Sequence, residues 1–333
     1  MQSEGKQFGL AYLDADEAGA YLETHRGRIL SVIGFGRAIA LPETACAPLW
    51  IDIPVLGGKN SSVEIWSSNA PVSACEYQGI RGAGDGNVLF GSLSLEQHAG
   101  DTLGTLAAEA YMRIFKFIDH FGYGNLLRVW HYFPHINDDE NGLELYRGFN
   151  VGRHASFVAN GRNIGEEDVP AASALGSNSG SLVIYFMASR LPGKGVENPR
   201  QVSAYQYPQT FGPSSPIFVR AMSAMLGGRY CFFISGTASI VGYETQHPGD
   251  VERQTAETLL NIRTLLQQIP HYDPAQGCML LKAYVRHPED LPMVRAKVEA
   301  EFGPACKVVY LHSNICRSDL LLEIEGAYFR DAH

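Results

Sequence analysis

The chain has 333 residues, 45% of them hydrophobic and 18% charged; this is the composition of a globular protein with a large core, and it excludes a disordered chain. Twenty-six basic residues against 35 acidic ones give a net charge of −9, which argues against nonspecific binding to nucleic acid or to an anionic membrane. An anionic ligand would therefore have to be held by local arginines.

Residues 1–87 are rich in glycine and in short β-like runs, such as Arg28 to Ile33 and Ser62 to Ile65. From residue 88 a fixed order of signals appears. Phe90-Gly91-Ser92-Leu93-Ser94 reads as a strand end, Asp101 suits a helix N-cap, and Leu103, Leu106, Ala107, Ala110, Ile114 and Phe117 recur at helical spacing. A β run from Leu126 to Phe133, a second helix around Gly142 to Arg147 and a closing strand from Ser181 to Ala188 follow. The same order then returns. Ser235-Gly236-Thr237-Ala238-Ser239 ends a strand, Asp250 caps a helix carrying Val251, Leu259, Ile262 and Leu266, and Cys278 to Val285 is a β run. Leu291 to Phe302 is a helix and Leu320 to Gly326 a final strand. Residues 88–190 and 228–330 are thus two copies of one α/β unit. Segment 191–227, with Pro192, Pro199, Pro208, Pro213 and Pro216, has the composition of a connector.

Few signals ask for a cofactor or metal. None of the six cysteines forms a C-x-x-C pair, so a zinc ribbon is not expected. His131 and His135 stand four apart, but Pro134 lies between them and the run reads as a strand entering a loop, which spoils ligand geometry. Gly34-Phe35-Gly36 lacks the rest of a dinucleotide fingerprint, and no nucleophile elbow or phosphate loop is present. No apolar run reaches the ~18 residues of a membrane span and no signal-like start precedes the first unit. A cytoplasmic protein with reduced thiols is expected. Glu323 and Glu325 flank Ile324 on the last strand, so period-two alternation puts both carboxylates on one face. A carboxyl in an apolar or like-charged setting holds its proton near neutral pH and can act as an acid. By spacing alone the pair could equally face solvent or a lysine or arginine.

The runs "SGTAS", "GDVERQT" and "LLLEIEGAY" in this order resemble the RidA (YjgF) family. Further upstream, Arg128 to Asn137, Gly142 to Arg153, Ser203 to Pro208 and Pro216 to Ala221 precede this RidA-like end; together they resemble the chorismatases, which cleave the enolpyruvyl ether of chorismate. The resemblance covers roughly residues 85 to 330. It implies repeated RidA-like units with barrel-like central sheets and helices outside. Residues 1–87 would be a third, eroded unit, so that one chain imitates the RidA trimer and is a monomer. Segment 191–227 becomes a functional connector.

The resemblance also implies roles. Glu323 matches the proton donor, while Glu325 is structural. Arg153 stands where a RidA arginine grips a carboxylate; the last unit has Cys306 there instead. Arg147 is a second carboxylate ligand, with an ion pair to Glu144 as its plain alternative. Tyr205 above Tyr146 and Tyr207 would hydrogen-bond the substrate, and Arg220 falls in the same blocks. Two positions separate hydrolysing from aromatising members. Ala238 fits the hydrolysing branch and Cys316 the aromatising one. A thiol holds an attacking water poorly, so pyruvate and a 3- or 4-hydroxybenzoate are the expected products, without a cofactor. The alternatives are hydrolysis to a dihydroxycyclohexadiene carboxylate, a RidA-type enamine or imine deaminase, and a non-catalytic binder of small anions.

Overall fold

The computed structural model describes residues 7–332. The first elements are β1 (Gly9–Leu13), α1 (Ala15–Thr24), β2 (Ile29–Gly36), β3 (Leu49–Ile51) and β4 (Ser61–Ser67), in a sheet of order β1-β4-β2-β3. Next come β5 (Ser73–Tyr77), β6 (Ile80–Gly84), β7 (Val88–Leu95), α2 (Leu103–His120) and β8 (Asn125–Pro134). A two-stranded ribbon, β9 (Asp139–Glu140) and β10 (Leu143–Glu144), leads into α3 (Leu145–Ala159), β11 (Ala171–Ser177) and β12 (Leu182–Ser189); the second sheet has the order β11-β8-β12-β7-β6-β5. The last part holds β13 (Lys194–Val196), β14 (Ala221–Leu226), β15 (Arg229–Thr237), a ribbon of β16 (Ile240–Val241) and β17 (Glu244–Thr245), and α4 (Val251–Leu266). It ends with β18 (Gly277–Val285), α5 (Leu291–Phe302), β19 (Lys307–His312) and β20 (Leu322–Asp331), giving a third sheet of order β13-β14-β15-β20-β18-β19.

Strand for strand, β7-β12-β8-β11, β15-β20-β18-β19 and β1-β4-β2-β3 are laid out alike. In each the last two strands are parallel and the others antiparallel. The first set has no helix between its parallel strands β2 and β3. Corresponding cross-strand pairs are Glu325 with Lys282, Tyr185 with Trp130 and Glu64 with Ile33; one step along lie Glu323 with Tyr284, Val183 with Tyr132 and Ser62 with Phe35.

A barrel-like centre is not formed. Among the described residues the three sheets stay separate, meeting through side chains and single bridges such as Val55 with Leu311 and Leu175 with Ile315. Their shared core is aromatic: the Trp66 ring lies 5.2 Å from Phe90, 6.0 Å from Trp130 and 6.0 Å from Phe233, one partner at least from each of the other two sheets. The apolar stripe of α2 is buried as its spacing requires.

Several local expectations differ from what is seen. The second sheet begins at Ser73, not at residue 88, and the proline-rich stretch contributes β13 and β14 to the third sheet. Thr102, not Asp101, caps α2, accepting from Thr105 N at 3.2 Å; Asp101 instead accepts from His98 N at 3.0 Å. Asp250 caps α4, accepting from Arg253 N at 3.0 Å. Helix α3 runs far beyond Arg147. Gly152 interrupts its apolar pattern because α2 and α3 cross in near backbone contact there: a Cβ on Gly152 would collide with the Gly104 carbonyl, and one on Gly104 would press on the Gly148 carbonyl.

Candidate active site

A cavity of about 400 Å³ opens between the second and third sheets, with a deeper lobe beneath it. Glu323, second residue of β20, lines both, as do Cys316, Gly236, Tyr146 and Phe218. The Glu323 carboxyl is only 3% exposed. Its hydrogen-bond neighbour is the Cys316 thiol, whose Sγ lies 3.9 Å from Oε2. Position 236 must be glycine for the carboxyl to fit, since a Cβ there would overlap Oε1. Burial, and then the charge of Glu325, push the Glu323 carboxyl up to about 8. Its side chain therefore carries a proton at neutral pH.

Glu325, on the same face, has the opposite fate. Burial alone would raise it, but Lys282 and Arg128 hold it below the usual carboxylate range. Lys282 Nζ is 2.7 Å from Glu325 Oε1, Tyr284 donates to the same oxygen at 2.9 Å, and Arg128 and Ser173 bind the other oxygen.

Arg153 projects from α3 into the deeper lobe. It is buried, its guanidinium lies 5.0 Å from the Tyr111 ring centroid, and Nε and Nη2 find no hydrogen-bond partner among the described residues. Burial lowers its basicity, yet an arginine stays charged. A buried cation with idle donors is a built receptor for an anion. Arg220 is similar: Nη2 donates to Val202 O and to the Tyr207 hydroxyl, both at 2.8 Å, and Nε is unpartnered. Arg147 lines the mouth and pairs with Glu144 at 3.2 Å, half-exposed, so the plain alternative for it is realised at the cavity edge.

Tyr146 and Tyr207 line the cavity, as does Ala238. Tyr205, the favoured tyrosine, does not; its hydroxyl sits beside Ser203 and Glu197. The 3₁₀ turn Ala204–Gln206 carries Tyr205 to the far side and releases Tyr207 inward onto Arg220.

Sequence reasoning missed Arg317, Phe211 and the support of Arg153. Arg317 stacks 4.5 Å from the Phe211 ring at the mouth and donates to Tyr243 O at 2.8 Å; no spacing pattern marks it. His131 is buried, with Nδ1 2.7 Å from Ser173 O and Nε2 2.7 Å from the Tyr111 hydroxyl. A carbonyl only accepts, so Nδ1 bears the hydrogen and Nε2 accepts from Tyr111, which fixes the ring facing Arg153. No group of three or more potential metal-ligating side chains occurs among the described residues, and no helix there is long and apolar enough to cross a membrane.

Known proteins share much of this sequence and fold. The family model described as Chorismatase FkbO/Hyg5-like, N-terminal matches residues 64–188. A 3-hydroxybenzoate synthase of Streptomyces hygroscopicus is 37% identical over 278 residues, which is 79% of this chain and 80% of that protein. A solved chorismatase structure superposes with a TM-score of 0.82 at 29% identity, covering 98% of this chain and 99% of that one. A chorismatase of Streptomyces rapamycinicus is 34% identical over 332 residues, 96% of each protein, and with that near-complete correspondence the chain belongs to the chorismatase family.

Proposed function

We propose that the protein cleaves the enolpyruvyl ether of chorismate, releasing pyruvate and a hydroxybenzoate. The observation that carries this reading is the pairing, in one lobe, of a proton-bearing buried carboxyl on Glu323 with the idle Nε and Nη2 donors of Arg153. Arg153 and Arg220 offer idle donors to the two carboxylates of chorismate, and Arg147 stands at the rim. With the substrate so anchored, the enolpyruvyl methylene lies against Glu323. Proton transfer from Glu323 to that methylene makes a methyl group and leaves an oxocarbenium-like ether carbon. The bond between the ring carbon and the ether oxygen then breaks and pyruvate departs. The neighbouring ring hydroxyl supplies the electrons, its oxygen bonding to the vacated carbon, and its proton returns to the Glu323 carboxylate before the ring aromatises. No water is consumed.

Hydrolysis to a dihydroxycyclohexadiene carboxylate would need a water held at the ether carbon. Cys316 beside the acid is a weak hydrogen-bond former, which favours the aromatising course although Ala238 leans the other way. The likeness to a 3-hydroxybenzoate synthase supports the 3-hydroxy isomer. The matching strand orders support three RidA-like units in one chain, with residues 9–67 as the reduced copy and the whole as a monomer. The test is to mix pure protein with chorismate and follow pyruvate by a coupled lactate dehydrogenase assay, with Glu323→Gln alongside. No pyruvate from the wild type, or near-normal release from the variant, would overturn this reading.

A further inference from the structure

Where the three sheets meet lies a buried set of charges that the chemistry above does not use. Lys282 Nζ is 2.7 Å from Glu325 Oε1 and 2.7 Å from Glu64 Oε2. Glu64, from the first sheet, also accepts from Trp66 Nε1 at 2.7 Å, and the Tyr185 hydroxyl lies 2.9 Å from Lys282 Nζ. Arg128 binds Glu325 and donates to Ser173 Oγ at 2.6 Å. All four charged side chains are at most 2% exposed. Two carboxylates thus face two cations, and the cluster is neutral as it stands.

Glu323 is the odd carboxyl beside this balanced set. The groups facing it are Glu325 on its own strand, Tyr284 across the sheet on β18, Arg128 and His131 on β8, Tyr146 and Arg153 on α3, and Cys316 in the loop before β20. Arg147, Arg220 and Arg317 lie further out along the cavity wall. Of the nearby cations, Arg128 is committed to Glu325, and Arg153 is the one a substrate carboxylate would occupy.

We propose that Glu325 is a positioning residue for the acid: held as a carboxylate by Arg128 and Lys282, it withholds both cations from Glu323 and so keeps the proton on that side chain. Glu64 completes the device, because without it Lys282 would be an uncompensated charge within the cluster. This rests on Glu323 being the acid. It gives the first sheet a part in catalysis although Glu64 does not line the active-site cavity. It also accounts for the two glutamates of one strand face having opposite protonation: one is inside the ion cluster and the other just outside it.

The test separates this idea from the function itself. Infrared difference spectra of wild type against Glu323→Gln should show at neutral pH the carbonyl stretch of one buried protonated carboxyl, whatever the protein's activity. In Glu325→Gln that band should titrate away at a pH lower by about one unit or more. The alkaline limb of kcat/KM for pyruvate release should move with it, giving a loss of about tenfold or more at about pH 9 but near wild-type turnover at about pH 6. Glu64→Gln should shift both readouts the same way by a smaller amount, and it serves as the second variant if Glu325→Gln does not fold. Lys282→Met, which leaves carboxylate in excess, should move the band to higher pH. A band that titrates as in the wild type in these variants, or a rate loss equal at all pH values, would overturn the proposal. A wild type that shows the band but releases no pyruvate would instead overturn only the assigned reaction.

Discussion

Replacing Glu323 by glutamine should abolish turnover and at the same time make the protein more stable. The carboxyl titrates at about 8 in the folded protein against an ordinary 4.5. Folding therefore takes up a proton whenever the pH lies between those values, and the stability contributed by this group is whole below about 4.5 and lost as pH rises through about 8. At pH 7 the wild type forgoes about 3 kcal/mol, from ~1.4 kcal/mol for each of the ~2.5 pH units above the unfolded value. Glutamine fills the same space against Gly236, cannot ionise, and escapes that loss. Denaturant melts at pH 7 should show the variant more stable by up to about this amount, with a gain of a few degrees in Tm. The advantage should vanish near pH 4.5. Pyruvate release should fall by about 10²–10⁴-fold, the usual share of general acid catalysis. Equal stabilities of the two proteins across that pH range would refute the raised carboxyl, and unimpaired turnover would refute its role.

Turnover of the wild type should decline above pH 8 as the Glu323 proton is lost, which a kcat/KM profile for chorismate will show. Arg153→Ala should weaken a dicarboxylate benzoate inhibitor by about 10–100-fold, the worth of one charge-assisted pair, with Arg153→Lys restoring only part; an unchanged inhibition constant would place Arg153 outside the binding site. Cys316→Gln, putting a good hydrogen-bond former beside the acid, should shift the ring products from hydroxybenzoate toward the dihydrodiol, read by chromatography. Sizing with light scattering should give a monomer, and a stable homotrimer would contradict the three-unit reading.

The elements with an uninterrupted pattern were legible from residues alone. The stripe from Leu103 to Phe117, the cap at Asp250, α5 at Leu291–Phe302 and the strand around Cys278 to Val285 lie where periodicity puts them. The final strand, expected over Leu320 to Gly326, starts at Leu322 and runs on to Asp331. What failed was decided by tertiary contact. Helix α3 needs glycine at 152, and α2 glycine at 104, for the two helices to approach, and a glycine in the middle of α3 interrupts its apolar signature. Strand β13 hides in a proline-rich stretch because it is a three-residue edge strand, where few ladder bonds are needed. In the site, Glu323, Cys316, Arg153 and Tyr207 come together, while Tyr205 turns away on a 3₁₀ turn that no local pattern reveals. The partners of Glu325 were invisible for a simpler reason. Lys282, Arg128 and Glu64 lie 43, 197 and 261 residues away along the chain, and nothing in their own surroundings marks them as ionic.

The corresponding positions in the three sheets have a consequence for how such a protein can arise. An assembly of identical subunits must repeat every residue around its axis: three glutamates or none, three lysines or none. Here the equivalent places hold Glu325, Tyr185 and Glu64, facing Lys282, Trp130 and Ile33, and the acid position holds Glu323, Val183 and Ser62. One lysine wedged between two glutamates, with an aromatic lid on the remaining side, is a composition that exact rotational symmetry forbids. With three sheets of like layout in one polypeptide, each is free to differ from the others, so a single cleft can be built for chemistry while the equivalent positions elsewhere serve packing. On this view the covalent linkage does more than hold the sheets together: it lets one proton-donating carboxyl exist without two unwanted twins beside it.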